Sequence, residues 1–259
     1  MVPSRMQDST LSIKKICRSV LAIAFWLFIW QCLAWVVGAT LLLPEPVTVF
    51  HALGRVIQAT GFYASVGRTL FGIMIGFLSG VLAGTLLAVF TWASPLAHAL
   101  FSPILRLVRT TPVASFIILA LLWLSNRTVP MFIAGLMVTP ILWSSTRTAI
   151  AETNADLLEM ARAYRFSCFR KIRLIYLPQV LPQWTAACAT AMGLAWKSGV
   201  AAEVIAQPIP AMGTSLFRSK LLLDTEQLFA WTILVVLLSF ILERLFVRLM
   251  AKMGRRYTL

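Results

Sequence analysis

The sequence predicts an all-α integral membrane protein with six transmembrane helices, and three observations carry that prediction. Hydrophobic residues make up 59% of the 259, and the mean hydropathy is +0.85. Charged residues are only 12%, against about 25% in a soluble globular chain. The apolar residues fall into long runs broken by Pro and charge, as spans of a hydrocarbon layer require. Most Lys and Arg collect in segments that a six-span layout puts on one side.

The first 19 residues are polar, with Arg5, Lys14, Lys15 and Arg18. They precede an apolar run, 20–43, that is too long for a signal-peptide core and has no small-x-small cleavage site before Pro44, so it reads as an uncleaved first helix. Leu43-Pro44-Glu45-Pro46 ends that helix and opens an amphipathic segment, to residue 60, on the outer surface. The second span, 69–92, is uncharged and places Gly72, Gly76, Gly80 and Gly84 at four-residue intervals. Such a stripe lets a neighbouring helix approach closely; no Lys-Ser/Thr follows it, which argues against a phosphate loop.

Pro95, Pro103 and Pro112, with Arg106 and Arg109, lead into the short run 112–125. A broken or tilted third span that starts inside is expected there. A fourth span covers 129–145, with Pro130 and Pro140. A fifth covers 179–202 and contains Pro182, Trp196 and Lys197, with Glu203 just beyond. Residues 207–226 read as an outer loop holding a short helix, and 228–242 as the sixth span, followed by Glu243, Arg244, Arg248 and a basic tail.

With both termini inside, only Arg55, Arg68, Arg127, Arg218 and Lys220 fall outside and Lys197 within the membrane; every other Lys and Arg, Arg106 and Arg109 included, is counted inside. This spread over four short segments explains the net charge of +14 and excludes a nucleic-acid partner. Cys17, Cys32, Cys168 and Cys188 have no CxxC spacing, so neither disulfide framework nor zinc site is indicated. His51 and His98 are isolated at opposite faces, and no Walker, Rossmann, GxSxG or HExxH spacing occurs. No catalytic or metal residue is assigned, and the chain has no ATPase site of its own.

Residues 152–178 form the one long polar, basic island. Leu157, Leu158, Ala161 and Tyr164 repeat at helical spacing in its first half; Phe169, Ile172, Ile175 and Tyr176 do so in the second, against Arg170, Lys171 and Arg173. Ser167, in Phe166-Ser167-Cys168, is placed to cap the second helix. This helix-turn-helix lacks a core of its own and needs a partner to cover its apolar face.

The same stretch resembles the cytoplasmic signature of permease subunits of bacterial ABC importers, E-A-A-x3-G-x9-I-x-L-P. Glu159, Ala161, Ile175, Leu177 and Pro178 match; Met160 replaces an Ala, and Arg165 stands where the Gly should be. Without that Gly, the turn is expected either to avoid left-handed backbone or to lie a residue or two later. Gly193-Leu194-Ala195-Trp196, Val200-Ala201-Ala202-Glu203, Gly213 and Leu43-Pro44-Glu45-Pro46 are similar to the nitrate, sulfonate and taurine group. The resemblance implies a type I ABC importer permease fold: a permease domain over 20–250 with a coupling loop at 152–178, between a cytoplasmic segment 1–19 and a cytoplasmic tail 251–259. It further implies a bacterial inner-membrane location and a second copy of the chain as partner. A cytosolic ATPase dimer that binds the ATP and an external solute-binding protein complete the assembly. ATPase coupling falls to Glu159, Met160, Ala161, Arg165, Phe166 and Ser167, and the solute is a small anion or heterocycle.

Trp196, Lys197, Ser198 and Glu203 are candidate path residues, because an ionisable group in a span is costly and by default has a task. Two readings of Lys197 stand: it faces the translocation cavity, or it meets a carboxylate or helix carbonyls at the subunit interface. A stand-alone secondary transporter or channel is the alternative class, although no inverted repeat is visible.

Overall fold

The computed structural model describes the backbone from Ser4 to Arg255 and the side chains of Arg18 and residues 20–250. The expectations for Cys17, for the cations before Arg18 and for the side chains of the 251–259 tail lie outside those residues. Eleven α-helices and no strand occur among the described residues, in two compact units.

One unit comprises the chain up to Ala59 together with Arg218–Thr232. Its first helix, α1, runs Ser4–Val37, starting earlier and stopping sooner than the sequence suggests. Gly38 explains the stop, since it takes the left-handed φ of +61° that closes helices at little steric cost. Trp30 Nε1 donates to the Pro44 carbonyl (3.1 Å) and holds the following turn. The amphipathic α2 (Pro46–Gln58) buries Val49, Ala52 and Val56. Arg55 pairs with Glu226 at 2.8 Å.

The larger unit, Thr60–Phe217 with the chain from Ile233 on, is built on α3 (Phe62–Ala93) and α6 (Val129–Ala151). The glycine stripe of α3 lies along α6. A Cβ at Gly76 would collide with the Met131 carbonyl, one at Gly80 would lie 2.6 Å from the Gly135 oxygen, and one at Gly84 2.5 Å from the Thr139 oxygen. Gly72, at the end of the stripe, is looser: its Cβ would meet only Met131 Cγ at 3.5 Å. Trp143 Nε1 donates to Thr91 Oγ1 (2.8 Å), tying α6 to α3 near the other end.

Helix α9 (Leu177–Ala206) closes against the same pair, and a Cβ at Gly199 would fall 2.6 Å from Ile73 Cγ1 of α3. Trp184 Nε1 adds a bond to Thr85 Oγ1 (3.0 Å). The third span, expected as a broken or tilted helix over 112–125, is a pair of helices, α4 (Pro95–Thr110) and α5 (Val113–Ala120), bent by 106°, so the lead-in that the sequence suggests is helical as well. Pro112, which lacks an N–H and restricts the residue before it, forces the break.

Helix α4 corrects one placement. Leu105 packs in one cluster with Ala88 and Trp143, whereas Val108 shares a cluster with Ile133 and Met137. The helix therefore climbs α6, and it carries Arg106 and Arg109 away from the end at which the sequence count put them.

Among the described residues, three helices are long and apolar enough to cross a membrane: Val20–Val37, Phe62–Ala93 and Val129–Ala151, with the bent pair as a fourth if counted as one span. The expected six are thus not all recovered by length and apolarity. Helix α9, at 30 residues, is diluted by Gln179, Gln183, Lys197 and Glu203. Both α10 (Met212–Leu221) and α11 (Thr225–Arg255) run from one unit into the other.

Gly80→Val should lower the thermal stability of the detergent-purified chain by at least ~1–3 kcal/mol, the usual cost of overpacking. Gly72→Ala should leave the melting curve within about 0.5 kcal/mol of the parent.

Candidate functional site: the polar loop and the ionisable groups of α9

The polar island begins where α6 ends. Asn154 caps α7 (Ala155–Ala163), its Oδ1 accepting from the Asp156 and Leu157 N–H groups at 2.8 and 3.4 Å. The Asn154 N–H in turn donates to Gln179 Oε1 (2.9 Å), so the start of α7 is bonded to the start of α9. Asn ahead of a helical run is a capping signal that fixes this start three residues later than the island's first residue.

The end of α7 overturns the expectation for Arg165. Its φ is +50°, so the turn does enter left-handed space, at the position where the signature has Gly. The Phe166 N–H donates to the Ala161 carbonyl (2.9 Å) and the Arg165 N–H to that of Arg162 (3.0 Å). This is the paired 6→1 and 5→2 closure of a Schellman end, and the hydrogen bonds hold a residue whose Cβ disfavours the conformation by about 1–2 kcal/mol. The Arg170 guanidinium lies 5.5 Å from the centre of the Phe166 ring, a cation–π contact across the turn.

Ser167 caps α8 (Cys168–Lys171), its Oγ accepting from the Arg170 N–H at 3.4 Å. The chain then widens through a π turn, Ile172–Tyr176, into α9. Pro178, at the start of α9, has no N–H to donate and its ring crowds the preceding turn, which accounts for the wider spacing.

Two signature positions, Ala161 and Ile175, are buried at 0% and 3% exposure, while Leu157, Met160, Tyr164 and Phe169 stay 38–74% exposed. The expected apolar face is thus split. Part of it is covered within the chain, and the remainder is a cluster of large apolar side chains on a charged loop, with Glu159 and Arg165 exposed beside it.

Of the four candidate path residues, Trp196 and Lys197 line one cleft, and Ser198 and Glu203 lie outside it. Trp196 is buried and donates Nε1 to the Val235 carbonyl (3.2 Å). Ser198, also buried, bonds back to Leu194 (2.8 Å). Glu203 is 3% exposed; its Oε2 accepts from Thr69 Oγ1 (2.9 Å) and from the Gly213 N–H (3.0 Å), and Thr69 Oγ1 accepts from the Met212 N–H (3.0 Å). That one carboxylate fastens α3, α9 and the start of α10 together. Gly213 cannot be larger, because a Cβ there would lie 2.5 Å from Glu203 Cβ. No pattern around Thr69 in the sequence announces this bond.

Only Lys197 of the four is exposed. It lines a cleft of about 480 Å³ between α9 and α11, with Val200, Val204, Val235 and Glu243. No carboxylate pairs with it; among the described residues the one ion pair is Arg55–Glu226. No cluster of His, Cys, Asp or Glu suited to a metal occurs among the described residues.

Comparison with known proteins gives this geometry a context. Residues 80–255 match the family described as binding-protein-dependent transport system inner membrane component. The chain is 26% identical to a protein described as an aliphatic sulfonates transport permease of Bacillus subtilis (strain 168), over 86% of this chain and 81% of that one. It is 22% identical to the taurine transport system permease protein of Escherichia coli (strain K12), over 89% and 86%. Identity to the nitrate import permease protein of Synechocystis is 25%, over 74% and 72%. The fold is similar to that of a chain in the inward-facing methionine transporter MetNI, with a TM-score of 0.61 at 14% identity, over 76% of this chain and 95% of that one.

Arg165→Gly should relieve the strained turn and slow hydrogen exchange at the Phe166 amide, while β-branched Arg165→Val should speed it by roughly ten-fold, equivalent to about 1.4 kcal/mol. Glu203→Ala leaves the Gly213 donor unsatisfied. It should cost about 2–4 kcal/mol in thermal unfolding, and Glu203→Gln, which keeps an acceptor oxygen, about half as much.

Proposed function

We propose, for a chain that belongs to the family of binding-protein-dependent transport system inner membrane components, the role of the membrane-spanning permease subunit in an ATP-driven importer of a small anionic solute. The chain is a transport component of the nitrate, sulfonate and taurine group, and not an enzyme. Its apolar helices and its family make it a multi-pass inner-membrane protein. In our reading α9 and α11 supply the remaining two spans, both termini are cytoplasmic, and the solute passes between two copies of the chain. An external binding protein delivers that solute, and a cytosolic ATPase dimer provides the work.

The observation that carries the coupling role is the exposed cluster Leu157, Met160, Tyr164 and Phe169 on α7 and α8. Large apolar side chains on a charged loop outside the spans invite a partner. Burying each fully is worth roughly 1.5–3 kcal/mol, enough together to seat α7 in a protein groove. The loop is also stiff. Its capped start is bonded to α9 through Gln179, and its end is closed by the Schellman bonds, so a push on α7 reaches α9 without being absorbed in a loose turn. Glu159, Arg165 and Ser167 line the rim of the contact and orient it.

The test is purification of the tagged chain in mild detergent from its native membrane, with co-purifying proteins identified. The parent should bring down an ATPase; Tyr164→Asp should lose it, and Glu159→Arg should keep the chain in the membrane while cutting ATP-driven uptake at least about ten-fold, equivalent to 1.4 kcal/mol of coupling. An ATPase retained by both variants with normal uptake overturns the docking surface. Uptake that follows an ion gradient, with no ATPase bound to the parent, replaces the reading with a stand-alone transporter.

A further inference from the structure

Arg106 and Arg109 are unused by the assignments above, and their position is unusual. Leu105, beside Arg106, packs in one cluster with Trp143 of α6, roughly 12 Å along that helix from its end at Ala151. Val108, beside Arg109, belongs to a cluster that takes in Met137, Ile133 and Val129, roughly 21–33 Å from the same end. Since α6 is long and apolar enough to cross a membrane, α4 carries both side chains along a membrane-crossing helix, Arg106 part-way along it and Arg109 further from the Ala151 end. Arginine in hydrocarbon is costly unless it faces protein or water.

The helix itself says which. At 100° per residue α4 has three sectors. Ala97, Ser102, Leu105 and Val108 are buried against the fold. Leu96, Leu100, Ile104 and Leu107, each 57–70% exposed, form an apolar sector fit for lipid. Arg106 and Thr110 occupy the flank on the other side of the packed face, Arg109 projects from the edge of that face itself, and all three are exposed. Neither arginine has a carboxylate partner, the one ion pair among the described residues being Arg55–Glu226. Nor are they needed to cap α4. Thr110 Oγ1, Thr111 Oγ1 and the Thr111 N–H already bond the Arg106 and Leu107 carbonyls at 2.8–3.2 Å. Immediately beyond, the chain breaks at Pro112, and the first N–H groups of the eight-residue α5 add the positive end of a helix to the same place.

We propose that Arg106 and Arg109 form an anion-binding station on the solute route, taking a sulfonate-like or other oxyanion head group at the break between α4 and α5. Two guanidinium forks three residues apart present paired donors to such a group, and a site inside the membrane makes their attraction stronger than at a surface. The proposal rests on the permease reading for the existence of a route, and its test does not require ATP, the ATPase or the binding protein.

The test uses full-length chain in sonicated native-membrane vesicles, so that both faces meet the reagent, with Cys17, Cys32, Cys168 and Cys188 replaced by Ser. In that background Arg106→Cys should react with the anionic probe sulfonatoethyl methanethiosulfonate faster than with its trimethylammonium counterpart. Adding Arg109→Gln should slow the anionic probe by at least roughly ten-fold, the scale of a unit charge within about 10 Å at an effective dielectric of about 20. Ethanesulfonate should protect the thiol, and Ile104→Cys on the apolar sector should stay unlabelled. The reciprocal pair, Arg109→Cys with and without Arg106→Gln, should behave alike, which covers a failure of either single variant to assemble. Unreactive thiols at both positions, rates indifferent to the second arginine, or equal labelling of Ile104→Cys would each overturn the station. An ATPase missing from the parent preparation would instead remove the ATP-driven reading and leave these rates as they are.

Discussion

The contact on which the larger unit depends is the backbone-to-backbone approach of α3 and α6. Lipid tails are as apolar as leucine, so helices in a membrane gain little from simply hiding hydrophobic surface; they associate through close packing and hydrogen bonds. Gly76, Gly80 and Gly84 provide the closeness, since any side chain would occupy the space of the Met131, Gly135 and Thr139 carbonyls. With α6 seated, its remaining surface receives α9 on one side and α4 on the other. Polar links then set the register: the buried pairs Thr91 with Trp143 and Thr69 with Glu203, and the part-buried pair Thr85 with Trp184. In each a threonine of α3 meets a larger polar group from a neighbouring helix. A slip along the axis would leave both partners unsatisfied where water cannot replace them.

That frame extends to the polar loop without a flexible joint. Helix α6 passes through the Asn154 cap into α7, which the Gln179 bond secures to α9; the Schellman closure and the Ser167 cap then return the chain through the π turn. The left-handed Arg165 shows how firmly the path is determined. A residue with a Cβ occupies the conformation because the flanking hydrogen bonds outweigh its cost. Tyr164 and Phe169, on either side of this turn, stay exposed.

Much of this was legible in the sequence because the signals were local. The four-residue glycine period, the Ser167 cap and the helical spacing around Leu157 each follow from a few neighbouring residues. What escaped depends on distant partners. Nothing near Thr69 indicates that it bonds a carboxylate 134 residues on, and nothing near Arg106 gives its depth, which is set by how far α4 climbs α6 before Pro112 stops it. The Arg165 position failed for another reason. The absence of glycine points to a turn that avoids left-handed backbone or lies a residue or two later, whereas the bonds from Arg165 and Phe166 back into α7 impose the left-handed turn at 165 itself.

The ionisable groups near the spans sort by a single physical criterion. Glu203 finds its donors within the chain, from Thr69 and Gly213, and its carboxyl group is accordingly committed to joining three helices. Among the described residues Lys197, Arg106 and Arg109 have no carboxylate within ion-pairing distance, and Arg147 of α6 keeps a buried Nε without a hydrogen-bond partner. An unpaired cation at such depth is a standing cost, and cations so placed are open to negative charge from elsewhere. Lys197 opens towards a cleft that also contains Glu243, so part of its field is answered by the chain itself. The arginine pair on α4 has no acid of this kind beside it, and a passing anion meets its uncompensated charge there.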